Sequence, residues 1–87
     1  MSELKVYESA TFRIHVQGEL DKNWSNYYAD MAIHTEIDLE EHAVATLTGQ
    51  VQDQAALLGV LTRLVDMGLP LLLVQYIPNQ TAGNLEE

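Results

Sequence analysis

Apolar and polar residues alternate over Phe12-Arg13-Ile14-His15-Val16-Gln17 for three full repeats, placing Phe12, Ile14 and Val16 on one face of a first strand. Gly18 ends it, and Asp21-Lys22-Asn23 supplies side-chain oxygens able to cap the free amides of a helix start. Trp24, Tyr27, Tyr28 and Met31 follow at i, i+3, i+4 and i+7, one stripe on about two helical turns. So short a helix is not stable alone in water, so the spacing predicts that its rings lie against a sheet. Alternation resumes over Met31-Ala32-Ile33-His34-Thr35-Glu36-Ile37, a second strand with His34 and Glu36 on its polar side. The polar stretch Asp38 to His42 suits a hairpin connection, and Ala43-Val44-Ala45-Thr46-Leu47-Thr48 has the β-branched content of a third strand.

The strongest helical signal runs from Ala55 to Met67, with Asp53 as N-cap and Gly68 as left-handed stop. Leu57, Val60, Leu61 and Leu64, flanked by Leu58 and Val65, make a broad apolar face; Gly59, Thr62, Arg63 and Asp66 make the polar one. A mid-helix glycine costs about 1 kcal/mol against alanine. Gly59 is therefore explained either by drift or by the close approach of another surface, such as a second subunit. After a Gly-Leu-Pro turn, Leu71 to Ile77 is too short an apolar run for a helix and reads as a fourth strand, whose facing is ambiguous by one residue. If Leu71 and Leu73 both face outward, one edge of the sheet is apolar and association is favoured. From Pro78 the chain is polar and aperiodic, so residues 1–77 are expected to form one α+β domain and 78–87 a flexible tail.

The order strand, short helix, strand, strand, long helix, strand matches a ferredoxin-like βαββαβ plan with a shortened first helix. That plan implies a four-stranded antiparallel sheet in the order 4-1-3-2, with the helices on one face and the other face open.

Composition narrows the functional classes. At 87 residues with 47% hydrophobic content the chain can bury a thin core, and with no cysteine it has neither disulfides nor thiol chemistry to supplement it. Thirteen acidic residues face four scattered basic ones, a net charge of −9, which disfavours nucleic acid as a partner. The start lacks a basic end followed by an apolar run, and no apolar stretch approaches the ~20 residues of a membrane helix, so a cytoplasmic location with no membrane contact is expected.

Gly18-Glu19-Leu20-Asp21 with Trp24-Ser25, then Thr46-Leu47-Thr48-Gly49, Asp53-Gln54-Ala55-Ala56-Leu57 with Gly59, and Gly68-Leu69-Pro70-Leu71-Leu72 together form a recognisable run. In these segments, over roughly residues 12 to 76, the chain resembles a group of small uncharacterised bacterial proteins. The resemblance implies a self-contained domain, brings no catalytic residues, and weighs against drift at Gly59.

No phosphate-binding loop, dinucleotide fingerprint, zinc-protease motif or nucleophile elbow is present in the sequence. The chemistry-bearing cluster is the open face, where Arg13, His15 and Gln17 join His34 and Glu36, with Val44, Thr46 and Thr48 between them. Across the intervening third strand, His15 and His34 stand about 9.5 Å apart at the backbone. A His-His-Glu metal site with Glu36 is conceivable but is not signalled by spacing, and ordinary solvated strand residues are the simpler explanation. A general base at His15 or His34 likewise lacks a signalled cavity. The acidic run Glu36, Asp38, Glu40 and Glu41 lacks the glycine and ligand period of a calcium loop, and His42 within it reads as exposed. Trp24, Tyr27 and Tyr28 read first as core and second as a binding patch.

The sequence thus favours a non-enzymatic interaction module that self-associates as a homodimer, with Gly59, Leu71 and Leu73 as interface candidates and an unidentified protein as a possible further partner. It implies no catalytic residue, no cofactor and no metal. The alternative is a small-molecule-binding or catalytic domain using Arg13, His15, Gln17, His34 and Glu36 on the open face.

Overall fold

A computed structural model describes residues 3–78. Its elements are β1 (Ala10–Gln17), a 3₁₀ segment (Lys22–Tyr28), β2 (Ala32–Ile37), β3 (Ala43–Val51), α1 (Gln54–Asp66) and β4 (Leu71–Ile77). The four strands form one antiparallel sheet in the order β2-β3-β1-β4, which is the expected order read from the other edge. The expected tail falls almost wholly outside the described residues.

β1 and β3 are the centre of the sheet and are both longer than their alternation predicts. Ala10 and Thr11 extend β1 to pair with Val51 and Gln50, while Gly49 continues β3 opposite Phe12. Gly49 carries no side chain where the backbone of Met31 crosses: a Cβ there would lie 3.1 Å from the Met31 Cα. That close approach seats Met31, fully buried, at the entrance to β2.

The α1 boundaries follow the sequence closely. The Asp53 carboxylate accepts from the Ala56 amide at 2.8 Å, satisfying one of the free donors at the helix start. The helix ends at Met67, and Gly68 follows with φ +83. Leu57, Val60 and Leu64 are buried against the alternate residues Phe12, Ile14 and Val16 of β1 and Ala45, Leu47 and Val51 of β3. The apolar face is narrower than predicted, because Leu58 remains 63% exposed and Val65 55%.

The first crossover departs from the expected α-helix. Asp21 caps it, accepting from the Asn23 amide at 2.9 Å. The chain then winds as a 3₁₀ helix and stops where Ala29 and Asp30 both take positive φ. With about three residues per turn rather than 3.6, the four-residue stripe cannot face one way. Tyr28 and Met31 are buried, whereas Trp24 and Tyr27 are about half exposed. The Ser25 hydroxyl donates to the Met31 carbonyl at 2.6 Å and ties the segment to the start of β2.

Substituting Leu64→Ala is expected to cost about 2–5 kcal/mol in urea denaturation, whereas Leu58→Ala should change stability by no more than about 0.5 kcal/mol.

Candidate functional site

Strand register places the open-face residues in rows. His34, Thr46, His15 and Leu73 form one row across all four strands; Ala32, Thr48, Arg13 and Gln75 form the next; Glu36, Val44 and Gln17 form a third. His34 Nε2 lies 3.2 Å from Glu36 Oε2, both side chains largely in solvent. Thr46 stands between that pair and His15, and among the described residues no group of three or more His, Asp or Glu is placed to hold a metal ion. The polar candidates are thus spread across a sheet surface in register, with no wall of a cavity formed by them in the clefts described below.

The hairpin acids have a local task. One oxygen of Asp38 accepts from the amides of Glu40 and His42 at 2.9 and 2.8 Å, closing the turn in which Glu41 takes φ +67. His42 sits 3.8 Å from Asp38 and 3.7 Å from Glu40, its side chain more than half exposed.

The three interface candidates separate. A Cβ at Gly59 would meet the Arg63 guanidinium at 3.3 Å and nothing else within reach. Arg63 in turn lies 5.2 Å over the Tyr27 ring, so Gly59 leaves room for that stacking within the chain itself. Leu73 pairs opposite His15 and Leu71 opposite Val16, with a register shift between them. Leu72 is therefore the extra residue of a bulge, Leu73 belongs to the open face, and Leu71 to the helix face. The ambiguity in the facing of this strand resolves into both answers, one on each side of the bulge.

β4 lies at the edge of the sheet, bonded only to β1, and Leu71 to Tyr76 are all exposed, the apolar ones at 39–51%. The helix leaves this edge bare. Arg63 marks the flank of α1 that faces the 3₁₀ segment, and that segment packs with β2 at the far edge. Leu58 and Val65 lie on the flank of the helix opposite Arg63, outside the buried stripe. On β4, Leu71, Val74 and Tyr76 are the exposed apolar residues of the helix face. Their exposure was masked in the sequence by the general apolarity of both segments.

A second feature escaped the sequence. A cleft of about 280 Å³ lies between the β1–3₁₀ connection and the end of α1, lined by Glu19, Leu20, Asp21, Trp24, Tyr28 and Met67. The Tyr28 hydroxyl is buried with no hydrogen-bond partner, and burial raises its pKa, with Tyr27 adding to the rise and Arg63 opposing it. Larger clefts lie at the end of the sheet, around Thr11, Gln50 and Tyr76, and beside Thr35 and Ile37.

A family model described as "Domain of unknown function (DUF8691)" matches residues 11–75. No curated protein and no solved structure matches the chain.

An orphaned buried hydroxyl costs about 1–3 kcal/mol, so Tyr28→Phe is expected to raise Tm by several degrees. A tyrosine with a raised folded pKa keeps its proton at a pH where the unfolded chain has lost it. Its contribution is therefore present below pH ~10 and lost as pH rises through the folded value. Thermal melts from pH 8 to 11 should show wild type losing stability at the alkaline end more steeply than Tyr28→Phe.

Proposed function

The chain belongs to this family of unknown function, and we propose that it is a non-enzymatic interaction module that self-associates through the free edge of β4. The observation that carries this reading is an edge strand of seven residues with no charge, exposed on both faces. Such a strand presents a row of unpaired amides and carbonyls, which natural proteins ordinarily blunt with lysine, proline or a cover. Leu71–Ile77 contains neither lysine nor proline, no described residue pairs with its outer edge, and the bulge at Leu72 is the interruption it carries.

A second copy is the partner that fits. Antiparallel pairing of β4 with its own copy about a two-fold axis uses one surface twice and closes, leaving no further edge at that place. Charge favours the same contact. Each chain carries −9, so copies repel except where acids are absent, and Leu71–Ile77 contains none of the thirteen. The bulge at Leu72 gives both faces of the strand apolar side chains to bury in the pair. In this reading Leu71 and Leu73 are contact residues from opposite faces. The whole chain is read as a reduced ferredoxin-like plan, in which the 3₁₀ segment stands where a first helix would lie and the single α1 leaves β4 available.

Sedimentation equilibrium over micromolar to millimolar concentrations is expected to give twice the chain mass. Leu72→Lys, at a half-exposed position, should weaken association at least tenfold with its circular dichroism unchanged. A strictly monomeric wild type, or a variant that associates as well as wild type, would overturn the proposal.

A further inference from the structure

We propose that the cleft lined by Glu19, Leu20, Asp21, Trp24, Tyr28 and Met67 binds an organic ammonium group carried on a short apolar stem. It is lined by two acidic residues, two aromatic ones, a leucine and a methionine, and by none of the four basic residues of the chain. Carboxylates draw a positive charge, aromatic faces hold it through their quadrupole, and Leu20 and Met67 offer the stem an apolar bed.

Two further observations point the same way. Trp24, Tyr27 and Tyr28 form an edge-to-face ladder, with ring centroids 5.9 and 5.1 Å apart. The chain already stacks one cation on it, since Arg63 lies 5.2 Å over the Tyr27 ring. Arg63 does not line the cleft, where Trp24, about half exposed, is the aromatic residue open to a ligand. Met67 is the C-cap of α1, so the cleft also adjoins the end of the helix where the backbone dipole is negative. An anion is repelled by Glu19 and Asp21, and a neutral apolar molecule leaves both carboxylates unused.

Asp21 has a structural duty as the cap of the 3₁₀ segment, through the oxygen bound to the Asn23 amide. Glu19 is exposed and accepts no hydrogen bond among the described residues, so it is the carboxylate whose removal tests the site without disturbing the fold.

Trp24 is the sole tryptophan of the chain, so its fluorescence reports directly on the cleft. The full chain is titrated with choline, with n-butylammonium, and with 3,3-dimethyl-1-butanol, the uncharged isostere of choline. The two cations are expected to give saturable changes, at least tenfold tighter than the neutral isostere and weakened by added sodium chloride. Glu19→Gln should lower the affinity for the cations several-fold while leaving Tm within a few degrees of wild type. Equal binding of choline and its neutral isostere, absence of any saturable change, or an unchanged affinity in Glu19→Gln would each overturn the proposal. A Nα-acetyl-lysine amide arm distinguishes the source within it. Tighter binding than n-butylammonium marks a lysine side chain of a protein, and weaker binding marks a free amine.

Discussion

One helix about 10–12 Å across must cover a sheet whose outer strands are about 14 Å apart. Everything else in the molecule follows from how that mismatch is met. Leu57, Val60 and Leu64 are buried over the central strands, where Phe12, Ile14, Val16, Ala45 and Leu47 supply the opposing residues. On the β2 side the remaining gap is closed by the 3₁₀ segment, through Tyr28 and Met31. No equivalent cover exists among the described residues on the β4 side, and its leucines, Val74 and Tyr76 are left half in solvent. The core and the candidate contact surface are thus two results of the same arrangement.

The central strands, the α1 caps and the strand order were legible because each rests on a local pattern that tertiary packing reinforces. Alternation from Phe12 to Gln17 is carried into the structure residue by residue, and Asp53 and Gly68 bound the helix as their chemistry requires. The sequence misled where two local codes competed. Trp24, Tyr27, Tyr28 and Met31 have α-helical spacing, but the Ala29-Asp30 pair turns left-handed before the second turn is complete. Nothing in either residue announces that. For β4, an unbroken apolar run offers no alternation from which to read facing, and a bulge changes the answer midway through the strand.

The candidate sites were less legible than the fold, for a related reason. The polar residues Arg13, His15, Gln17, His34 and Glu36 fall on one face by register, yet sharing a face does not make them converge. Register spaces them at strand intervals across an open surface. The cleft around Trp24 is built from the 3₁₀ segment, the connection before it and Met67 from the far end of α1. No single stretch of sequence contains it. What the sequence did hold was Glu19 and Asp21 close to Trp24, an interleaving of acid and aromatic that gains meaning once the helix end is set beside it.

The position of β1 carries a consequence in time. Of the four strands described it is the first made, yet it lies inside the sheet, and its partner β4 is the last of the four: Thr11 pairs with Ile77. The β2–β3 hairpin is local and closes quickly, whereas β4 must close a loop spanning most of the domain before its contacts reward it. β4 is therefore the late-joining strand of the four. When it leaves, it uncovers on β1 a second edge of the same chemistry, so the chain's vulnerability to exchanging strands with its neighbours is set by the lifetime of one pairing.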